Sequence, residues 1–207
     1  MAPNPPETTA TGVLATRYNP ITRLCSSMVD IIGHVGMGLL WLTVAGWLAY
    51  EDEAALGFVA LGAPFSLLPD IDLWLSKAFA GIKHHGVVHT VLFVSVAAIA
   101  IGAVLGKWVV PWLRSRYLPA NAIGNDYLYA IGAVWVGGVA HVFADMLSAP
   151  DIADSIEPLW PLYRQSFGID IFYYNDPVVN WGLFLGGLAF TAILWWQADT
   201  DDTAATA

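Results

Sequence analysis

The sequence contains few charged residues and only one cysteine. Asp, Glu, Lys and Arg make up 12% of the 207 residues, whereas soluble domains usually carry about 25%. The lone Cys25 excludes an internal disulfide and a cysteine-rich metal site. Eight basic residues stand against 17 acidic ones, and the net charge is −9. Direct nucleic-acid binding is disfavoured, because contact with phosphate backbones needs a basic surface.

Common nucleotide-binding and nucleophile signatures are also missing. The chain has no GxGxxG, no P-loop and no serine in a GxSxG context. Its N-terminal region is polar and contains prolines ("APNPPETTATG"), and the first apolar run begins too late for a secretory signal. We predict a polar disordered tail over 1–28, a single membrane-embedded domain over 29–198 and an acidic disordered tail over 199–207.

Long apolar runs dominate the rest of the chain. Hydrophobic residues make up 57% of the sequence and the mean hydropathy is +0.59. Five apolar segments can be drawn, at approximately 30–50, 54–69, 87–106, 127–148 and 178–197. A helix needs roughly 20 apolar residues to span a bilayer, and only 54–69 is short. That segment holds Pro64, so we expect it to be kinked or only partly spanning. The sequence thus predicts an all-α polytopic transmembrane bundle of about five segments, surrounded by membrane lipids.

All five histidines are predicted to lie at one end of this bundle. We call the side of the membrane that holds the N-terminus the near side. If successive segments cross in alternate directions, Asp70, Asp72 and Asp145 also lie on the near side. A carboxylate at a helix centre costs about 2.5–3.5 kcal/mol, and neighbouring carboxylates repel one another. A divalent cation would offset both penalties. The candidate residues are His34, Asp70, Asp72, His84, His85, His89, His141 and Asp145.

Residue spacing supports a shared metal site. His85 and His89 are four residues apart, as are His141 and Asp145, and also Asp30 and His34; such pairs share a helix face, and helix bundles build metal sites from them. His84 can join only if it precedes the regular helix. Each motif also has a structural explanation, such as a helix stop with capping aspartates for "PDID". Their joint placement favours the metal site.

An ordered set of motifs resembles a known family. The motifs are "GHVG" (33–36), "LLPDID" (67–72), "HHGVVHT" (84–90), "HVFADMLS" (141–148) and "PLWPL" (158–162). They are similar to those of the YdjM-like membrane-bound metal-dependent hydrolases, also called LexA-binding inner-membrane hydrolases, over roughly residues 30 to 165. The resemblance implies an inner-membrane location and metal ligation by His34, Asp70, His84, His89, His141 and Asp145.

Two positions depart from the family pattern. His85 stands where the family has an arginine, and Val88 where it has a threonine. An arginine would suit bidentate binding of an anionic substrate. The substrate preference of relatives is therefore not carried over to this chain.

These features predict a metal-dependent hydrolase acting on a lipidic or interfacial ester or phosphoester through metal-activated water. Mixed His/Asp ligation suits one or two Zn²⁺ or Mn²⁺ ions better than Ca²⁺. Asp72 and His85 are the candidates for general base or outer-shell orienting residue. One alternative is a metal-ion or proton transporter, although the run "VAAIAIGAVLG" after Ser95 offers no polar path. Another is a non-catalytic scaffold with a structural metal.

The basic residues predict the orientation of the bundle. Arg17, Arg23, Lys77, Lys83 and Arg164 fall on the near side, and Lys107, Arg114 and Arg116 on the far side. The positive-inside rule then places the near side, with the candidate site, in the cytoplasm. A membrane-impermeant thiol reagent applied to intact cells should leave Cys25 unlabelled, and ready labelling would reverse this topology.

Overall fold

The computed structural model describes residues 20–79, 84–119, 121–149, 155–173 and 175–205. Within these ranges the chain forms six α-helices: α1 (Pro20–Ala49), α2 (Asp52–Gly62), α3 (Ile71–Ala78), α4 (Val91–Arg116), α5 (Asp126–Leu147) and α6 (Pro177–Ala205). Short 3-10 segments at Ala63–Leu67 and Val87–His89 join α2 to α3 and precede α4. Two two-residue strands, β1 (Ser148–Ala149) and β2 (Phe172–Tyr173), pair in parallel.

Five stretches of the described chain are long and apolar enough to cross a membrane. They are Ile31–Ala49, Asp52–Ala78, Val91–Arg116, Asp126–Leu147 and Pro177–Ala198. Large apolar side chains point outward from them, including Val96, Ile99, Leu185 and Leu188, as expected where lipid rather than water is the surrounding medium. The predicted all-α bundle of five membrane segments is confirmed.

The second segment is broken twice. Helix α2 ends at Gly62, and the following 3-10 segment carries Pro64 at its start. Proline supplies no backbone N–H and disfavours continuation of an α-helix, which accounts for the predicted kink. The segment is longer than the predicted 54–69, because α3 extends the apolar stretch. Helix α3 buries Asp72 and exposes Leu73 and Trp74, so its polar face lies inside the protein.

Several helix ends differ from the predicted bounds. Helix α1 already begins at Pro20, inside the predicted tail, and α6 continues to Ala205. Residues 1–19 and 206–207 lie outside the described part, so disorder there stays a prediction. Helix α4 begins at Val91 rather than at 87, because the Thr90 hydroxyl accepts a hydrogen bond from the Phe93 N–H at 3.1 Å. This is an N-cap, which fixes where a helix starts.

The broken segment lies close to α1 and α5, because glycines line the contact. A Cβ at Gly38 would lie 2.6 Å from the Ser66 Cβ, and one at Gly137 would lie 2.6 Å from the Gly62 carbonyl oxygen. Small residues let helices approach this closely in membranes. The 3-10 segment is therefore held between α1 and α5, and Asp70, which follows it, lies beside the last two turns of α5.

Candidate metal centre

Seven of the eight predicted site residues form one buried cluster. They come from α1, the stretch around the start of α3, the turn before α4, and the last two turns of α5: His34, Asp70, Asp72, His84, His89, His141 and Asp145. Successive members are linked by N–O distances of 3.0 to 3.7 Å. The near ends of four separate parts of the chain thus converge as the threading predicted.

One half of the cluster surrounds Asp145. Its Oδ1 lies 3.0 Å from His34 Nε2, and its Oδ2 lies 3.2 Å from His141 Nε2. The rings of His34 and His141 stack with centroids 3.9 Å apart. The predicted pairing of His141 and Asp145 along one helix face is present. The side chain of Asp30 is not among those described, so its pairing with His34 stays a prediction.

The other half surrounds Asp72, which is completely buried. Its Oδ1 forms a 3.0 Å hydrogen bond with His84 Nδ1, and its Oδ2 lies 3.2 Å from His89 Nδ1. Carboxylates placed on one imidazole nitrogen orient the ring so that the other nitrogen can bind a metal. The position of Asp72 between two imidazoles fits this orienting role.

Four atoms at the centre of the cluster form a ring of alternating nitrogen and oxygen. His89 Nε2 lies 3.7 Å from Asp70 Oδ1, and that oxygen lies 3.6 Å from His141 Nε2. His141 Nε2 lies 3.2 Å from Asp145 Oδ2, which lies 3.6 Å from His89 Nε2. All four atoms are buried, and none has a hydrogen-bond partner in the described part of the chain.

This ring suits a divalent cation. A buried polar atom without a partner costs about 1–3 kcal/mol, and more when it is charged. An ion bound at about 2.1 Å holds neighbouring ligand atoms about 3.0 to 3.4 Å apart, depending on its geometry. The observed spacings of 3.2 to 3.7 Å are close to this range. The donor set therefore fits a divalent metal ion that accepts mixed nitrogen and oxygen ligands.

More than one set of ligands is available around the ring. Three groups each bring their ligand atoms within 4.8 Å of one another, and the first two share His84 and His89: His84, His85 and His89; Asp70, Asp72, His84 and His89; and His34, His141 and Asp145. The last two groups share no residue. This arrangement can serve one ion or two, so the number of ions stays a prediction.

A backbone carbonyl orients His141. Its Nδ1 donates a 2.6 Å hydrogen bond to the Ser66 carbonyl oxygen, which leaves Nε2 for the ring. In a continuing 3-10 helix that carbonyl would accept from residue 69, but residue 69 is a proline and has no N–H. The break in the second segment thus frees the acceptor that orients a candidate ligand.

One predicted detail is wrong, and one alternative explanation fails. His84 and His85 lie in a turn, and His85 has φ 60°, so His85 and His89 do not share a helix face. His84 precedes the helix, which was the condition for its joining the site. Asp70 occupies the N-cap position of α3 but its side chain makes no capping hydrogen bond. The capping explanation of "PDID" therefore fails at Asp70, whose carboxylate belongs to the ring.

The eighth predicted residue, His85, lies beside the ring rather than in it. Its ring centroid is 4.3 Å from that of His84 and 4.8 Å from that of His89. It lines a pocket that opens from the cluster toward the loop after α5. His85 is therefore placed to meet a bound molecule from the side.

The carboxylates change the acidity of His89, which lies just outside the spanning part of α4. Burial lowers the pKa of His89, but the nearby carboxylates of Asp70, Asp72 and Asp145 outweigh it and raise the pKa to about 9. Without a metal, His89 thus holds a proton at neutral pH. A metal that binds this imidazole must displace that proton.

Two residues at or beside the candidate metal centre, Ser66 and Asn180, were not predicted from the sequence. Ser66 acts through its carbonyl group, which no residue type reveals. Asn180 of α6 is 5% exposed, and its side chain packs so closely on Gly33 that no Cβ would fit there. It borders a small cavity that also touches His34 and Ser148. A single asparagine in an otherwise apolar segment was the available signal.

Comparison with known proteins adds a family match. A family model described as "YdjM inner membrane protein" matches residues 28–206, which is most of the chain and includes every residue of the cluster. No curated protein and no solved structure matches the chain.

Proposed function

Since this chain belongs to the YdjM inner membrane protein family, we propose that it is a membrane-bound metal-dependent hydrolase acting on a lipidic or interfacial ester or phosphoester. The family name states a location and no reaction. The proposal therefore depends on the chemistry of the site.

A single observation carries it: four buried nitrogen and oxygen atoms from three parts of the chain face one another without hydrogen-bond partners in the described structure. A purely structural cluster would pair these atoms with each other or with the backbone. Instead, the outer atoms of two of these side chains are hydrogen-bonded, His141 Nδ1 to the Ser66 carbonyl oxygen and Asp145 Oδ1 to His34 Nε2. Held imidazoles with their second nitrogens directed inward are typical of metal ligands.

The ion would supply positive charge that favours hydroxide formation from water and polarises the scissile group. Hydrolysis consumes one water, whose oxygen bonds to the scissile carbon or phosphorus while the bond to the leaving oxygen breaks. A proton passes from the water to the leaving oxygen. We assign His85 to carry that proton, because it lines the pocket beside the ring, and Asp72 to orient His84 and His89.

A transport function finds little support. The far half of the bundle contains a packed cluster of fully or almost fully buried apolar residues, namely Leu42, Ala54, Phe58, Val59, Val110, Ala130 and Ala133. Transport through a bundle uses polar groups near the membrane midplane. The described polar cluster lies instead at one end.

Metal content and turnover together test the proposal. We expect the purified full-length protein to contain Zn²⁺ or Mn²⁺ and to hydrolyse a lipid ester or phosphoester in a substrate screen. Chelation should abolish turnover and the missing ion should restore it. His85→Ala should lower turnover about 10- to 100-fold while most of the metal remains bound.

Each failure has a separate meaning. Bound metal without turnover on any ester would reject the hydrolase in favour of a structural metal. Absence of bound metal under saturating Zn²⁺ and Mn²⁺ would reject the site itself. Metal loss in His85→Ala, with metal retained in His84→Ala, would show that the ligand assignment names the wrong histidine.

A further inference from the structure

Two cavities of different character reach the same cluster. One is an apolar groove of about 330 Å³ between α1, the 3-10 segment and α3, with Ile31, Leu68, Asp70 and Trp74 among its lining residues. The other is a pocket of about 270 Å³ lined by residues that include His84, His85, Ser155, Glu157 and Trp160. These sets are called the groove and the head pocket below.

The two cavities meet the cluster from different sides. Asp70, which is 9% exposed, lines the groove, and the partly exposed His84 lines the head pocket. Between them lie His89 and Asp72, both fully buried. Asp70 Oδ1 is 3.7 Å from His89 Nε2, and His89 Nδ1 is 3.2 Å from Asp72 Oδ2. The candidate metal ligands therefore lie between the two cavities, with Asp70 on the groove side and His84 on the side of the head pocket.

The groove opens toward lipid. Ile31, Ile71 and Trp74 on its border are 44%, 42% and 74% exposed, and all three belong to the spanning stretches. Lys77 lies over the Trp74 ring at 5.0 Å from the centroid, an arrangement typical of the membrane interface, where both residues are common. An apolar chain can enter the groove from the bilayer without crossing water.

The head pocket has the chemistry of a cation site. Among its described lining residues none is Lys or Arg, while Glu157 supplies a carboxylate and Trp160 an indole ring. Carboxylates and tryptophan faces both attract ammonium groups. The backbone holds Glu157 in place, because the Val91 N–H donates to the Pro158 carbonyl at 2.9 Å and the Phe167 N–H donates to the Ile156 carbonyl at 2.9 Å.

From these observations we infer that the substrate is a membrane lipid whose headgroup carries an ammonium group. Its apolar chain lies in the groove, its ammonium lies between Glu157 and Trp160, and its ester junction lies at the cluster. This inference rests on the proposed hydrolase function. An anionic headgroup without an ammonium would meet Glu157 with no lysine or arginine among the described lining residues.

Photolabelling in nanodiscs tests the binding mode separately from turnover. The full-length metal-loaded protein would receive two phospholipids with the same diazirine-bearing acyl chain, one with a choline headgroup and one with a glycerol headgroup. Mass spectrometry would locate the labels. We expect the choline lipid to label groove peptides containing Leu68 or Trp74 roughly tenfold more than the glycerol lipid does.

Matched variants assign this preference to the head pocket. Glu157→Gln should remove most of the tenfold preference while metal content stays unchanged. Glu53→Gln, a carboxylate in the first turn of α2 at the other end of the bundle, should keep it. If Glu157→Gln does not fold, Trp160→Leu tests the same pocket, and it should also reduce the preference for the choline lipid.

The outcomes separate the two proposals. Selective labelling without hydrolysis of the choline lipid would support the lipid site and reject the hydrolase. Equal labelling by both lipids, or an unchanged preference in both pocket variants, would overturn the headgroup assignment even if the protein hydrolyses other esters. Labels spread over all lipid-facing helices, with no enrichment in the groove, would overturn the groove assignment.

Discussion

The two ends of the bundle both bury polar side chains, yet they satisfy them in different ways. At the far end, the Tyr129 hydroxyl donates to the Ala54 carbonyl at 2.6 Å. The Arg114 guanidinium there donates to the Ile123 carbonyl at 2.8 Å and pairs with Asp126. At the near end, the inner atoms of two histidines and two aspartates face one another without partners in the described chain.

The polar groups of the far end are bonded within the fold, whereas the ring atoms of the near end are placed as ligands of an ion would be. A membrane protein must pair its buried polar groups within the chain, because lipid offers no hydrogen bonds. At the far end the Tyr129 hydroxyl and the Arg114 Nη2 find partners within the chain, and Arg114 Nε is the one atom of these groups without a hydrogen bond in the described structure. The near end leaves these atoms directed at one another, in an arrangement that a bound cation would satisfy. If a cation binds there, responses to metal should be confined to the near end.

The largest expected effect compares two carboxylates of one helix. Asp145→Asn, at the near end of α5, should abolish metal binding and turnover, because a neutral amide cannot replace a charged ligand. Asp126→Asn, at the far end of α5, should keep metal content and turnover while losing its pairing with Arg114. Metal analysis and initial rates give both readings. Full metal and activity in Asp145→Asn would remove α5 from the site.

A double variant at the near end tests whether His89 and Asp145 serve the same metal centre. His89 and Asp145 lie in different parts of the chain, and their facing atoms are 3.6 Å apart. If they serve one centre, the double variant His89→Ala with Asp145→Asn should be little worse than either single variant. Additive losses in turnover would mean that the two residues act independently.

Metal should raise the thermal stability of the protein. Binding to the folded state alone adds about 2.7 kcal/mol when the free metal is 100 times the Kd. The midpoint of thermal unfolding in detergent should therefore rise with Zn²⁺ concentration and fall on chelation. Asp126→Asn should keep this response, and Asp145→Asn should lose it. An unfolding midpoint that changes with neither metal nor chelator would contradict the assignment of a metal site to the near end.

Pro69→Ala should weaken metal binding without removing a ligand. An alanine at 69 supplies an N–H that competes with His141 for the Ser66 carbonyl. Loss of such orienting contacts typically costs about 10- to 100-fold in metal affinity. Pro111→Ala, in the far part of α4, is the matched control and should leave the affinity unchanged. Equal metal affinity in wild type and Pro69→Ala would show that the Ser66 contact does not orient the ligand.

Metal affinity should fall as the pH falls below about 9. Since the neighbouring carboxylates raise the pKa of His89 to about 9, the metal-free imidazole is protonated below that value. Displacing one proton costs about tenfold in affinity for each pH unit. Calorimetry in two buffers of different ionisation enthalpy counts the released protons. Binding at pH 7.5 with no proton release would contradict this role for His89.

The smallest effect belongs to the far end. Tyr129→Phe removes the hydrogen bond to the buried Ala54 carbonyl and should lower the free energy of unfolding by about 1–3 kcal/mol. Metal content should not change, because Tyr129 lies in the far-end apolar cluster. Loss of metal in this variant would mean that the two ends are coupled.

The sequence predicts most of the near-end chemistry because helix spacing and alternate threading depend on local pattern. His141 and Asp145 lie well inside one helix, so their four-residue spacing holds. The same spacing fails for His85 and His89, because Gly86 lies between them in a turn and Thr90 caps the helix only afterwards. The Ser66 carbonyl was unpredictable, since its availability depends on how the broken segment packs between α1 and α5.

The order in which the ligands occur along the chain has a consequence for biogenesis. His34, Asp70, Asp72, His84 and His89 all emerge from the ribosome before His141 and Asp145. The cluster is therefore incomplete until α5 has entered the membrane, and until then Asp70 lacks its α5 neighbour His141. We expect nascent chains arrested beyond α5 to retain more Zn²⁺ than chains arrested before Asp126. Metal capture would then mark the moment at which the fourth span has been inserted.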